Sequence, residues 1–291
     1  MRIGNHQIGD GHPVYIIAEI GINHNGDLDT ALKLIAAAKD AGCDAIKFQK
    51  RTPELCVPLE QRDIMRDTPW GRMTYFEYRK RVELGFNEYS AINDYCKSID
   101  ITWFASCWDK QAFSNMEWFD FPCYKIASAC LTDDALIQNS RWFDKPIILS
   151  TGMSTLNQID HAVALFDKSR DDLILMHCTS SYPAWNTELN LRCIPMLKGR
   201  YGVPVGYSGH ELGIASTVAA VALGACMIER HITLNRKMWG SDQAASLEPD
   251  EIAELVRDIR FIEAALGDGI KRVYEREIPI MQRLRKVREN V

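Results

Sequence analysis

The chain has 291 residues, 46% hydrophobic and 25% charged, with a formal net charge of −5. Such a balance supports a large core. It excludes a broad nucleic-acid or polybasic membrane surface, yet leaves room for an anionic small substrate held by local positive charge. Nine cysteines fall singly, with no CxxC pair, no apolar run reaches membrane-spanning length, and "MRIGNHQIGDG" has no signal-peptide core. A cytoplasmic protein with reduced thiols, binding neither nucleic acid nor membrane, is expected.

In chain order, "RIGNHQIGDG" reads as a short hairpin (1–13) able to plug the lower end of a barrel. The first strand, "VYIIAEIG" (14–21), carries Glu19 near its end. "DLDTALKLIAAAKDAG" then reads as a helix, with aspartates at its start and Gly42 at its close. The second strand, "AIKFQK" (45–50), presents Lys47 and Gln49 on one face. Residues 51–86 form the longest interruption, a length that marks an active-site loop. "TWFASC" (102–107) brings Ser106. After the aromatic cluster "NMEWFDF" (115–121), read as packing, "CYKIAS" (123–128) brings Lys125 and Ser128. "PIILSTG" (146–152) offers Ser150 and Thr151, and "LILMHCT" (173–179) offers His177, with Ser180 beyond. "PVGYSG" (204–209) brings Ser208 and leads into His210. A small-residue helix (212–225) precedes the eighth strand, "CMIERHITL" (226–234).

Eight strand-and-crossover repeats predict a parallel sheet closed as a (β/α)8, or TIM, barrel over 14–265, followed by a C-terminal helical tail over 266–291. An open doubly wound sheet is the alternative. It usually announces a GxGxxG loop after its first strand, and "EIGINHNGD" is not one.

"CMIERHITL" sets three ionisable residues side by side in a strand fit for burial. Glu229 and His231 are two apart and share a face. Unpaired buried charges are costly, so that face needs partners or an opening. In a parallel barrel the C-terminal strand ends build the active site, and the polar residues gather there. Taken singly each has a plainer reading: Glu19 pairing Lys47, lysines reaching water, Ser150 and Thr151 capping a helix. Together, two lysines within a ring of hydroxyls suit a small polyanion carrying phosphate and carboxylate. His210 and His231, on adjacent strand ends, could hold one divalent metal and leave coordination positions open. Asp242, in "MWGSDQAAS", is free to reach over the site.

"AEIGINHNGD", "IKFQ", "YKIAS", "STGM", "CTSSYP", "GYSGHELG", "ERHITL" and "WGSDQAASLEP" together resemble the N-acetylneuraminate (sialic acid) synthase family. The resemblance spans about residues 14–265. It implies a transferase that condenses phosphoenolpyruvate with an aldose, N-acetylmannosamine or a related sugar, into a nine-carbon keto-acid sugar with release of phosphate. Lys47, Gln49, Ser106, Lys125, Ser128, Ser150, Ser180 and Ser208 then match phosphoenolpyruvate-binding positions. His210 and His231 match ligands of Mn²⁺, or of Mg²⁺ or Co²⁺. Glu19, Lys47, Lys125, Glu229 and Asp242 match catalytic positions, and Gln49, Cys130, Tyr182 and Asp242 fall near the acceptor. A homodimer or higher homo-oligomer is implied as well.

Three departures from the family pattern stand out, two at the acceptor and one, at Ser180, at the phosphoenolpyruvate site, and they leave the phosphoenolpyruvate and metal assignments in place. Relatives usually continue into an antifreeze-like domain that contributes an arginine near the acceptor's N-acetyl group; here "MQRLRKVREN" leads to Val291, and no such domain is expected. Cys130 stands where "KIxSxE" relatives carry glutamate, and Ser180 replaces a frequent asparagine. The acceptor could therefore be mannose, its phosphate, a diacetamido sugar or a shorter aldose. Arg62, Arg66, Trp70, Arg72 and Tyr75 of the 51–86 loop are the candidates to take over its recognition, including of acceptors without an N-acetyl group. Three rivals remain: a Schiff-base aldolase using Lys125, a metal-dependent hydrolase, and a non-catalytic phosphoenolpyruvate- or sugar-binding module.

Overall fold

A computed structural model describes residues 1–166 and 172–287. Strands β1 (Arg2–Ile3) and β2 (His6–Gln7) pair as an antiparallel hairpin. Eight parallel strands then close a barrel: β3 (Tyr15–Gly21), β4 (Ala45–Lys50), β7 (Thr102–Cys107), β8 (Tyr124–Ile126), β9 (Ile147–Ser150), β10 (Leu173–Cys178), β11 (Val205–Gly209) and β12 (Met227–His231). The expected α/β barrel is thus the observed fold. Every residue of β3, β10, β11 and β12 is buried. That is why these strands read as near-continuous apolar runs: one face fills the barrel and the other lies under helices.

The helical layer follows the sequence signals. Helix α1 (Leu28–Asp40) starts at Asp27, whose carboxylate accepts the Thr30 N–H at 2.8 Å, and Gly42 beyond its end adopts φ +85°. Helix α4 (Phe86–Ser98) buries Tyr89, Ile92 and Cys96. Tyr89 stacks on Trp103 with an interplanar angle of 11°. Within the aromatic cluster, Phe121 packs edge-on against Trp103, but Trp118 projects into solvent. The N-terminal hairpin lies at the N-terminal end of the strands: Ile3 and Ile8 are buried, and His6 meets Tyr15, the first residue of β3, at 5.2 Å.

Residues 51–86, read from the sequence as a long active-site loop, carry secondary structure of their own. They form the short helix α2 (Pro53–Cys56), a 3₁₀ turn (Leu59–Gln61), a hairpin of β5 (Met65–Thr68) and β6 (Gly71–Thr74), and helix α3 (Tyr75–Val82). A capping box between Thr74 and Glu77 opens α3. The C-terminal segment is less helical than expected. After the helix Pro249–Leu266, Gly267 and Gly269 take positive φ, and helical structure resumes only over Glu275–Glu277 and Ile278–Leu284. Residues 288–291 of that tail lie outside the described residues. No described helix is long and apolar enough to cross a membrane.

Candidate active site

The C-terminal strand ends surround a polar cavity of about 260 Å³. Sheet register explains which side chains meet there. His231 pairs with Glu19, and Glu19 with Lys47, so three neighbouring strands present one row. Gln49 pairs with Ser106, and Ser106 with Lys125, in a second row. Ser208 pairs with Glu229. A register shift between Glu19 and Gly21 ends β3 as it reaches the cavity. Gly21 has φ +56°, and a Cβ there would stand 3.2 Å from both Gln49 Nε2 and Glu19 Oε1, so the backbone turns where a side chain would crowd the site.

Four charges form the floor. Lys47 Nζ lies 2.7 Å from Glu19 Oε2 and 3.5 Å from Glu229 Oε1. Lys125 Nζ lies 3.3 Å from Glu229 Oε2. All four are buried, and two positive charges balance two negative ones. Burial alone would discharge them, but each sits against opposite charge. Desolvation opposes ionisation of Glu229, yet Lys125 and then Lys47 outweigh it and hold the carboxyl down at about 2. Desolvation also works against the Lys47 ammonium, but Glu19 and Glu229 outweigh it and leave Lys47 more basic than a free lysine. Lys125 goes the other way: burial dominates, with Lys47 adding to it, against Glu229. The plainer reading of Glu19, as the structural partner of Lys47, therefore describes the ground state of the site itself.

Hydroxyls ring this floor. Ser106, Ser128, Ser150, Ser180 and Ser208 all line the cavity. The Gly152 N–H donates to Ser128 Oγ at 3.1 Å, and Ser128 Oγ lies 3.1 Å from Cys178 Sγ. A Cβ on Gly152 would fall 2.3 Å from Ser180 Oγ and 2.8 Å from Ser128 Oγ. That glycine is what lets the two hydroxyls converge.

His210 and His231 face each other across 5.5 Å between ring centroids, and Tyr182 lies against both. His210 Nδ1 lies 2.8 Å from the Thr179 carbonyl, which makes Nδ1 the protonated nitrogen and leaves Nε2 a free lone pair. Burial, reinforced by His231, pushes His210 down to about 3, so its ring is neutral. His231 Nδ1 is buried with no hydrogen-bond partner among the described residues. Two imidazoles with a free or unpartnered nitrogen are donors of the type that binds a divalent cation, although no group of three or more His, Cys, Asp or Glu close enough to hold one occurs among the described residues. His177 is different: its Nε2 lies 2.7 Å from the Leu189 carbonyl and it faces a neighbouring groove, a structural histidine.

Arg230, between Glu229 and His231, points to the opposite side of β12. Its guanidinium donates to Glu211 Oε1 at 3.1 Å, Thr217 Oγ1 at 2.6 Å, the Gly213 carbonyl at 2.9 Å and the Glu211 carbonyl at 2.6 Å. Glu211 also accepts from the Tyr207 hydroxyl at 2.9 Å. This buried cluster ties down the segment that carries His210.

Of the residues that the family resemblance assigned to the site, all but one line the cavity, Asp242, Tyr182 and Gln49 among them, while Thr151, like His177, lines the neighbouring groove. The exception is Cys130. It closes the 3₁₀ turn Ser128–Cys130, which rotates its thiol beneath Trp108, 4.0 Å from that carbonyl. Burial there pushes the thiol up to about 12. Among the candidates in 51–86, only Tyr75 reaches the cavity. Arg62 turns back to the Val57 and Glu54 carbonyls, Arg66 lies over Tyr75, Trp70 packs on Trp239, and Arg72 is exposed. Arg51 and Arg79, which no pattern in the sequence singled out, do line it.

The NeuB family model matches residues 34–271. The N-acetylneuraminate-9-phosphate synthase of Homo sapiens is 36% identical over 282 residues, covering 96% of this chain and 78% of its own length. The N,N'-diacetyllegionaminic acid synthase of Legionella pneumophila is 35% identical over 285 residues, covering 96% of this chain and 80% of its own. Among solved structures, the N-acetylneuraminic acid (sialic acid) synthetase of Leptospira borgpetersenii superposes with a TM-score of 0.87 at 34% identity, covering 99% of this chain and 98% of that one. Matched by the family model over residues 34–271 and by these relatives over 96% of its length, the chain belongs to the NeuB family and is an enzyme of the synthase class.

Proposed function

We propose that the protein condenses phosphoenolpyruvate with an aldose to form a sialic-acid-like nonulosonate and inorganic phosphate. The observation that carries this reading is the balanced Lys47–Glu19 and Lys125–Glu229 floor ringed by converging serines. Its two ammonium groups and the hydroxyls around them are donors for a small ligand with both phosphate and carboxylate, while Glu19 and Glu229 leave the floor itself neutral.

In this reading C3 of phosphoenolpyruvate attacks the aldehyde carbon, forming the new C–C bond. Water adds at C2, the C–O bond to phosphate breaks, and the products are the keto-acid sugar and phosphate. Lys47, Lys125 and the serines orient the ligand and stabilise the charge that develops at C2. Glu229, clamped by two lysines, is a poor proton acceptor. Glu19 and Asp242 are the carboxylates available to take the water's proton. His210 and His231 would hold a divalent ion, Mn²⁺ first among the candidates, which supplies Lewis-acid polarisation of the aldehyde oxygen. We further propose a cytoplasmic homodimer; the exposed Trp142 and Trp185 support an association surface.

The test is phosphate release with phosphoenolpyruvate and a panel of aldoses, with products identified by mass spectrometry. Release that requires both substrates is expected. A borohydride-trapped adduct of pyruvate at Lys125 would instead establish a Schiff-base aldolase, and binding without turnover would establish a sensing module.

A further inference from the structure

Glu19, one of the two carboxylates available for the water's proton, is held by both oxygens. Lys47 Nζ lies 2.7 Å from Oε2, and Gln49 Nε2 donates to Oε1 at 2.9 Å. The other end of the same amide is held as well: Arg51 Nη2 donates to Gln49 Oε1 at 2.7 Å, the one donor to that oxygen among the described residues. Gly21 leaves room for the Gln49–Glu19 bond, whose two atoms a Cβ there would approach to 3.2 Å.

The order of these groups fixes the amide. A glutamine side chain turned over keeps its shape and exchanges its donor for its acceptor, so its neighbours decide which way it stands. A guanidinium has donors only, and an ionised carboxylate has acceptors only. Turned over, Gln49 would set its NH2 against the one and its carbonyl oxygen against the other, losing both hydrogen bonds. With Arg51 in place a single arrangement survives, and the bonds run in one direction from guanidinium through amide to carboxylate. Without Arg51 the amide is tied at one end only.

Arg51 is itself anchored. Its guanidinium lies over the Trp108 indole, 3.5 Å from the ring centroid. The backbone on either side of it is tied to the end of β7. The Trp108 N–H donates to the Lys50 carbonyl at 3.1 Å. Beyond that point the Asp109 carboxylate takes over from the ladder between β4 and β7: it accepts the Thr52 N–H at 2.7 Å and the Thr52 hydroxyl at 2.9 Å. Asp109 also accepts the Ala112 N–H at 2.8 Å and so caps the helix Lys110–Met116. The Arg51 N–H donates to Glu83 Oε2 at 3.2 Å. The arginine therefore leaves a fixed backbone and crosses a fixed ring before it meets Gln49.

We infer that Arg51 is a positioning residue for the reaction: through the Gln49 amide it fixes the orientation of the Glu19 carboxylate. This rests on the phosphoenolpyruvate condensation proposed above. Arg51 also lines the cavity, so contact with a substrate is the competing role. The two roles separate kinetically, because uniform binding of a substrate appears in KM and the orientation of Glu19 appears in kcat.

The experiment is a double-mutant cycle over Arg51 and Gln49, read as kcat and as KM for both substrates. Arg51→Met keeps a side chain over Trp108 and removes the donors; Gln49→Met removes the amide. Arg51→Met is expected to lower kcat about 10- to 150-fold, the range set by losing a charged hydrogen bond, with both KM values within about 3-fold of wild type. In the Gln49→Met background the same substitution is expected to change kcat less than about 2-fold, because its path to Glu19 is gone. An unchanged kcat in Arg51→Met, or an equal loss in both backgrounds, overturns the inference. So does a raised KM with kcat intact, which would make Arg51 a substrate ligand. Should Arg51→Met not fold, Arg51→Lys, which keeps the charge and loses the planar fork, is read in its place by the same outcomes. Side-chain amide NMR of protein labelled with ¹⁵N-glutamine needs no turnover. The Gln49 signal, assigned by its loss in Gln49→Met, is expected to exchange its hydrogens with water at least about 10-fold faster in Arg51→Met, the worth of the lost bond. An unchanged exchange rate overturns the inference. If no aldose turns over, the condensation reading fails by itself, and the amide signal alone decides whether Arg51 holds Gln49.

Discussion

Replacing Arg230 by Met removes four hydrogen bonds and the only positive charge within salt-bridge distance of Glu211 among the described residues. Glu211 is fully buried and keeps only the Tyr207 and Thr217 hydroxyls as side-chain donors. Breaking one partner out of a buried ion pair costs about 3–5 kcal/mol, because the remaining charge stays desolvated. The same pair replaced together is cheaper, so Arg230→Met with Glu211→Gln is expected to recover more than about 1 kcal/mol of the loss. The assay is urea unfolding followed by circular dichroism and by tryptophan fluorescence, whose coincidence establishes a two-state transition. If Arg230→Met lies within about 1 kcal/mol of wild type at unchanged m, against a cost of about 3–5 kcal/mol for a broken buried pair, the cluster does not anchor the segment that carries His210.

His210→Ala and His231→Ala are each expected to abolish divalent-ion binding by calorimetry and metal-dependent turnover, while far-ultraviolet dichroism is retained; full turnover of either variant after chelation and metal add-back would remove it from the metal site. Gly152→Ala places a Cβ where Ser180 and Ser128 converge, and a KM for phosphoenolpyruvate raised at least about 10-fold is expected, the worth of one displaced hydrogen bond; an unchanged KM would show that the hydroxyls do not act together. His24 is buried and pushed down to about 4, by desolvation first. The unfolded chain therefore takes up a proton near pH 6.5 that the fold refuses. Stability from this group is present above pH 6.5 and is lost as pH falls toward 4, about 3 kcal/mol in full. His24→Asn should flatten that part of the acid limb, and superimposable stability–pH curves for variant and wild type would contradict the burial argument.

The barrel was legible because its strands, buried on both faces, write themselves as apolar runs whose polar residues gather at one end. The two-residue spacing of Glu229 and His231 placed them together in the cavity, and the same alternation sends Arg230 outward to Glu211. What escaped lies off the strands. Thr74 and Glu77 spell a capping box in sequence, so helix α3 was available to a closer reading. Arg51 and Arg79 left no such trace, because a long side chain reaching inward from a loop or helix has no periodicity. Cys130 was misplaced because a 3₁₀ turn moves a thiol from rim to core within two residues of Ser128.

The neutral floor has a thermodynamic corollary. Two lysines and two glutamates satisfy one another without any ligand, so the pocket is held in shape in advance. A polyanion arriving there brings charge that nothing on the floor cancels, and a divalent cation at the histidine pair brings charge of the opposite sign. In the proposed mechanism each ligand therefore raises the affinity for the other by the same factor, since linkage between two binding equilibria is reciprocal. Phosphoenolpyruvate would bind weakly to metal-stripped protein and the metal weakly to ligand-free protein. A substrate would then report on metal loading without touching either histidine.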